Sequence, residues 1–241
     1  MDKQTRYSHL QEIKRLIRQK IDETIDLNVE KKKDNSVVTE IDTYICSLVR
    51  EKFLREIDVN YFSEEDQGSF SFPMIILDPI DGTKELIEKI GECAVSFGIY
   101  YSSDLNDERN FSWIFNPFTG MEISSETIEL ESREGLLNDR KMKVLVSRTE
   151  YSQKLFNENV NTEILPIGSI AYKLMLLAYG VGDAVISKKP KNIWDIMAGT
   201  HICHKRGIKF YLDKKALNEL DETLYQPNMI WTKHDPKIFQ I

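Results

Sequence analysis

The chain has 241 residues, 41% hydrophobic and 29% charged, with a net charge of -7. That balance fits a soluble globular protein with a sizeable core, and its sign disfavours a nucleic-acid partner, which would prefer a basic face. No apolar run approaches the roughly 20 residues of an integral membrane segment, residues 1–6 lack a signal-peptide core, and the well-separated Cys46, Cys93 and Cys203 suit buried thiols in a reducing, cytoplasmic setting.

Leu10, Ile13, Ile17, Ile21 and Ile25 recur at helical spacing and predict an amphipathic helix over about the first 26 residues. Residues 31–35 form a polar, charged loop. Ile41, Ile45, Leu48 and Phe53 mark a second helix, with Thr39 at its N-cap and Asp42 three residues on, close to a capping box. Residues 73–77 are a short apolar run that ends at Asp78, which predicts a buried strand delivering acidic residues at its end. Residues 93–101 and 111–115 predict further strands, 116–120 a turn, and 121–124 a return strand. The polar residues 125–140 connect two halves, 1–135 and 136–241, which are expected to work as one catalytic unit. In the second half, residues 143–147, 183–187 and 208–212 predict strands. Residues 169–179 and 193–206 predict helices, stopped at Gly180 and Gly207. Strands and helices are therefore expected to alternate in both halves, while residues 217–241 carry no pattern that assigns them a role.

Three acidic groups stand out. Glu64, Glu65 and Asp66 precede the apolar strand, Asp78-Pro79-Ile80-Asp81-Gly82-Thr83 follows it, and Asp195 comes much later. Carboxylates brought close together repel and need a counter-charge. A hard divalent cation such as Mg²⁺, which prefers oxygen ligands, meets that need. Gly82 permits close backbone approach to a ligand, and Thr83 opens a short helix, whose free N–H groups favour phosphate. The same Asp, Pro, Gly and Thr residues would also suit an ordinary capped turn.

The hexapeptide from Asp78 to Thr83 resembles the signature of the inositol monophosphatase superfamily of lithium-sensitive, metal-dependent phosphatases. Further matches, in family order, are Val38-Thr39-Glu40-Ile41-Asp42, the Glu64-Glu65 pair, Gly168-Ser169 before a helix, and Trp194-Asp195-Ile196-Met197-Ala198-Gly199. An ordered set is far more specific than one motif. The resemblance implies an α/β (α+β) fold, the layered α/β/α/β/α sandwich of the inositol monophosphatase/fructose-1,6-bisphosphatase type, and two or three Mg²⁺ ions. By the same resemblance Glu64, Asp78 and the Ile80 carbonyl hold one ion, Asp78, Asp81 and Asp195 a second, and a third lies near Glu64. Thr83 and Glu64 would orient the attacking water, with Asp42 positioning Thr83. The Gly82 and Thr83 amides, with Gly168 and Ser169, would grip the phosphate.

Residues 84–87, Gly91-Glu92, Ser63-Glu64-Glu65-Asp66, Ser147-Arg148 and Asn192-Ile193-Trp194-Asp195 resemble the 3′(2′),5′-bisphosphate nucleotidase (CysQ-type) branch. Six residues before the Trp-Asp pair, where inositol monophosphatases place a glutamate, stands Lys188, with Lys189 and Lys191 nearby. A lysine cluster attracts a second phosphate that a carboxylate would repel, so Lys188, with Lys189 and Lys191, is a candidate contact and Arg148 a weaker one; an exposed basic loop is the plain alternative for the three lysines. The expected partner is a small phosphorylated metabolite, with 3′-phosphoadenosine 5′-phosphate as the implied substrate. Inositol 1-phosphate or another sugar phosphate is the alternative, and a non-catalytic metal or nucleotide binder a distant one. A monomer or homodimer is expected. His201, His204 and Trp194 are expected to be ordinary helix and core residues.

Overall fold

The computed structural model describes residues 1–24, 29–31, 37–127, 141–157 and 161–239. Helix α1 (Lys3–Glu23) starts on Asp2, whose side chain accepts from the Thr5 amide at 2.9 Å, and it buries Leu10, Ile13 and Ile17. Ile25 and residues 32–35, expected in the first helix and the polar loop, lie outside the described residues, as do residues 128–140 of the polar connection. A ribbon of β1 (Val29–Lys31) and β2 (Val37–Thr39) leads into α2 (Glu40–Val49), where Thr39 and Asp42 form the expected capping box. Residues Arg50–Leu54 continue α2 as a π-helical turn that carries Phe53 into the core.

The next strands form one sheet in chain order: β3 (Asn60–Ser63), β4 (Met74–Asp81), β5 (Ala94–Tyr100), β6 (Phe111–Phe115) and β7 (Glu122–Ser124). Only the β3–β4 pairing is parallel. Helix α3 (Thr83–Ile87) lies between β4 and β5. The expected alternation of strands and helices therefore gives way here to an antiparallel meander, whose connections need no crossover helix.

The second half contains β8 (Met142–Ser147), α4 (Arg148–Ser152), β9 (Thr162–Ile167), α5 (Ile170–Ala178), β10 (Ala184–Ser187), β11 (Lys191–Asn192), α6 (Ile193–Lys205), β12 (Lys209–Leu212), β13 (Lys215–Leu217), β14 (Leu224–Tyr225) and β15 (Met229–Thr232). Its six-stranded sheet has the order β13-β12-β15-β10-β8-β9, and β11 pairs with β14 apart from it. The segment without a readable pattern thus supplies β15, at the centre of the sheet. There Trp231 is wholly buried, stacks on Phe210 at 4.7 Å and donates its indole N–H to Thr200 at 2.8 Å.

The layers follow from which face each strand buries. In β4, Ile75 and Leu77 pack with α1 and α2, whereas Met74 and Ile76 pack with α5 and α6. Burial on both sides explains why this strand reads as a continuous apolar run. Leu145, Val185 and Trp231 of the second sheet close on the other side of α5 and α6. The outer face of that sheet, with Val144, Val146 and Ile186, packs against Phe156 and Phe239. The five-residue α4 makes the outermost helical layer of the α/β/α/β/α sandwich thin among the described residues. Polar bonds tie the halves together: the Ser96 hydroxyl donates to the Trp194 carbonyl at 2.9 Å, and Ser112 Oγ meets His201 Nδ1 at 2.8 Å.

Candidate active site

The site is built on an irregularity in β4. Asp78 faces Ser96 of β5 and Asp81 faces Ala94, so two intervening residues on β4, Pro79 and Ile80, stand opposite one on β5, Val95. Residues three apart in a regular strand point to opposite faces; the extra residue of a bulge brings them back to one. The strand therefore does not end at Asp78, as the sequence suggested, but carries its bulge at Pro79 and Ile80 and ends at Asp81. From the other half, Asp195 sits in the first turn of α6, where its carboxylate accepts from the Asn192 amide at 3.0 Å. One carboxylate oxygen from each of Asp78, Asp81 and Asp195 lies within 4.8 Å of the others.

Electrostatics make this cluster costly without a cation. Asp78 is 1% exposed and its Oδ1 has no hydrogen-bond partner. Burial, then the charges of Glu64, Asp81 and Asp195, push its carboxyl well above the usual range. Burial and the Asp81 charge raise Asp195 to about 7, with Lys191 opposing. A buried carboxylate with an orphaned oxygen, beside two further carboxylates, is a donor set that hard divalent cations take. Glu64 follows β3 and its amide donates to the Leu77 carbonyl at 3.2 Å, which sets it beside the end of β4.

Asp81 has a second attachment. Its Oδ2 accepts from the Ser169 hydroxyl at 2.5 Å and from the Ala171 amide at 2.6 Å, at the N-terminus of α5. Ser169 is the N-cap of α5 and also accepts from the Tyr172 amide at 2.9 Å. The α5 N-terminus expected to grip phosphate thus holds a carboxylate of the acidic cluster here.

Gly82 has φ +92°, a conformation that costs a side-chain-bearing residue dearly, and a Cβ there would meet Glu92 O and Ser169 Cβ, each at 3.1 Å. At Gly168 a Cβ would fall 2.5 Å from the Glu85 carboxyl carbon, so the Glu85 side chain would have to move to admit one. The Gly168 amide donates to Glu92 Oε2 at 2.8 Å.

Two expected contacts take other partners. The Thr83 hydroxyl donates to the Ile80 carbonyl at 3.1 Å, not to Asp42. Asp42 Oδ2 accepts from the Thr39 amide at 2.8 Å and hydroxyl at 2.6 Å, because it serves the capping box of α2. Its Oδ1 is buried without a partner, and burial raises its carboxyl to about 6. Lys188 does not reach toward the cluster: its ammonium donates to the Leu155 carbonyl at 2.7 Å and lies 5.0 Å from the Phe156 ring centre. Arg148 pairs with Glu92 and, at 3.4 Å, with Glu85.

Lys173 belongs to no motif that the sequence displays. It is 1% exposed, and its ammonium donates to the carbonyls of Ile167 at 3.1 Å, Gly168, and Ser169 at 2.9 Å, which fixes the turn into α5. Burial lowers its pKa to about 8 against the pull of Asp81. A single lysine among Ile170, Ala171, Leu174, Met175, Leu176 and Leu177 was the available signal. His201 and Trp194 are core residues as expected: Trp194 packs on Phe62 at 5.6 Å, and burial lowers His201 to about 3. The three cysteines are free and buried, and no described helix is long and apolar enough to cross a membrane.

Comparison with known proteins agrees with this geometry. The profile of the Inositol monophosphatase family matches residues 2–215. The 3′(2′),5′-bisphosphate nucleotidase CysQ of Escherichia coli (strain K12) is 28% identical over 215 residues, covering 79% of this chain and 82% of the relative. Among solved structures, the extragenic suppressor protein suhB from Bartonella henselae superposes with a TM-score of 0.75 at 18% identity, over 98% of this chain and 95% of that one. CysQ from Bacteroides thetaiotaomicron superposes with a TM-score of 0.64 at 23% identity, over 90% and 92%. With the family profile spanning most of its length and the acidic cluster assembled from both halves, the chain belongs to the inositol monophosphatase family and is a metal-dependent phosphatase.

Proposed function

We propose that the chain is a Mg²⁺-dependent 3′(2′),5′-bisphosphate nucleotidase that converts 3′-phosphoadenosine 5′-phosphate to AMP and phosphate. The observation that carries the phosphatase chemistry is the convergence of Asp78, Asp81 and Asp195 within 4.8 Å, with a buried Asp78 oxygen lacking any partner. The nucleotidase assignment draws on the CysQ relatives and on the branch-like residues around the site.

Asp78, Asp81 and Asp195, with Glu64 and the Ile80 carbonyl, are the residues that would hold two or three Mg²⁺ ions. When bound, the ions supply charge neutralisation at the phosphate and acidify a water. The chain's own groups do the rest. The Gly82 and Thr83 amides, at the start of α3, would grip the phosphate oxygens. Thr83 and Glu64 orient the attacking water, while the Thr83–Ile80 bond fixes the hydroxyl at the end of the bulge. Asp42 acts by holding the start of α2 rather than by bonding Thr83. Gly168, Ser169 and Lys173 fix the turn that anchors Asp81. In the hydrolysis, water adds OH to phosphorus, the ester P–O bond breaks, and the leaving oxygen takes the proton.

Phosphate release from 3′-phosphoadenosine 5′-phosphate, inositol 1-phosphate and fructose 1,6-bisphosphate, with and without Mg²⁺, tests the proposal. Preference for the nucleotide with Mg²⁺ supports it. Preference for inositol 1-phosphate moves the chain to another branch, and no release from any of the three rejects the reading.

A further inference from the structure

Three charged side chains that the hydrolysis does not use meet at the turn into α5. Glu85 lies on α3, Glu92 stands just ahead of β5, and Arg148 opens α4. The guanidinium pairs with both carboxylates, with Glu92 through Nη2 and with Glu85 through Nη1 at 3.4 Å. Glu85 also packs on the turn itself, since its carboxyl carbon is 2.5 Å from the point a Gly168 Cβ would occupy.

Glu92 makes the closest attachment. The oxygen that meets Arg148, Oε2, also accepts from the Gly168 amide at 2.8 Å, and the Glu92 backbone carbonyl accepts from the Ser169 amide at 3.1 Å. One residue thus takes two successive N–H groups of the turn. Lys173 takes the carbonyls of Ile167, Gly168 and Ser169 in the same turn. A backbone whose donors and acceptors are both paired internally has little freedom to shift. From this turn the Ser169 hydroxyl and the Ala171 amide both donate to Asp81 Oδ2, so the orientation of the Asp81 carboxylate follows the turn. Such outer partners set how tightly a carboxylate holds its cation. The Arg148 charge offsets the one that Glu92 adds close to an already anionic cluster.

We infer that Glu92 is a positioning residue for Asp81: its carboxylate, held by Arg148 from the other half of the chain, fixes the Gly168–Ser169 turn and through it the aim of a metal carboxylate. The inference rests on the reading of Asp81 as a metal ligand. What it requires of Glu92 is an oxygen at the right reach, because a single oxygen serves both Gly168 and Arg148.

The test is calorimetric titration of the full chain with Mn²⁺, beside thermal melts in EDTA. Glu92→Ala should weaken Mn²⁺ binding by about 3- to 10-fold, less than the loss of a direct partner of a metal ligand. Glu92→Gln keeps an oxygen at the same reach and should stay within about 2-fold of wild type, whereas Glu92→Asp keeps the charge, falls one methylene short and should behave like Glu92→Ala. In a Ser169→Ala background, Glu92→Ala should add less than about 2-fold, because the two act through one turn. Wild-type Mn²⁺ affinity in Glu92→Ala, with only its Tm lowered, would overturn the inference by making Glu92 a purely structural residue. So would full additivity with Ser169→Ala. The opposite ranking, Asp like wild type and Gln like Ala, would overturn it in favour of a charge effect, and it is readable from these two variants even where Glu92→Ala does not fold. Unchanged Mn²⁺ affinity in Asp81→Asn would instead reject the metal assignment on which the inference rests.

Discussion

Replacing Asp195 by Asn should make the metal-free protein more stable while removing its activity. The substitution keeps shape, and the amide oxygen can still accept from the Asn192 N–H that Asp195 now caps at 3.0 Å. What it removes is charge. Two ionised carboxylates at 4.8 Å repel by about 3.5 kcal/mol at an effective dielectric of about 20. Raising Asp195 from 3.8 to about 7 corresponds to about 4 kcal/mol, at about 1.36 kcal/mol per pH unit. The second figure includes burial, its largest cause, as well as the repulsion from Asp81. The sign follows from linkage: with its folded pKa raised, Asp195 imposes no penalty below pH 3.8, and stability falls as pH rises from there through about 7. Asp78 and Asp42, raised for the same reason, act in the same direction. Urea unfolding in EDTA should therefore show the wild type weakening between about pH 4 and 7 and Asp195→Asn weakening less. At pH 8 the variant should lead by about 3–4 kcal/mol, or roughly 2–4 °C in Tm for each kcal/mol at this chain length. Saturating Mg²⁺ should reverse the order, because only the wild type gains binding energy. A variant less stable than wild type in EDTA at pH 8, with parallel pH profiles, would refute the charge argument.

Gly82→Ala should cost about 1–3 kcal/mol, from forcing a side chain into positive φ and against Glu92 and Ser169; a thermal melt reads the loss, and an unchanged Tm would contradict it. Lys173→Met should cost about 2–5 kcal/mol in urea unfolding, since it leaves three carbonyls at the turn into α5 without their buried donor. Ser169→Ala removes the α5 N-cap at about 1 kcal/mol and also the 2.5 Å bond to Asp81. Its half-saturating Mg²⁺ concentration in a phosphatase assay should rise, whereas an unchanged value would show that the anchor does not tune the metal carboxylates.

Much of the fold was legible where one local signal sufficed. The Leu10–Ile13–Ile17 spacing and the Thr39–Asp42 box marked α1 and α2 because helical period and capping are local. The strands without a local signal depend on distant partners. β15, residues 229–232, is four residues long and earns its central place only by pairing with β10 and β12. β9 contains Pro166, which an interior strand would not tolerate, and it lies at the sheet edge, where the missing donor matters less. At the site, the spacing of Asp78 and Asp81 showed two carboxylates at a strand end, but not that a bulge turns them to one face. Asp195 was reachable only through its motif, since more than 100 residues separate it from Asp81. The lysines were the least legible: order along the chain pointed to Lys188 with Lys189 and Lys191 nearby, whereas the path of β10 into β11 takes the Lys188 ammonium to the Leu155 carbonyl.

The central claim is that Asp78, Asp81 and Asp195 converge to hold divalent cations. Crystals soaked in Mn²⁺ and examined by anomalous diffraction test it most directly. Peaks within coordination distance of all three carboxylates, abolished or weakened in Asp78→Asn, are the predicted result. Manganese bound elsewhere, with these three side chains unliganded in the soaked crystal, would contradict it.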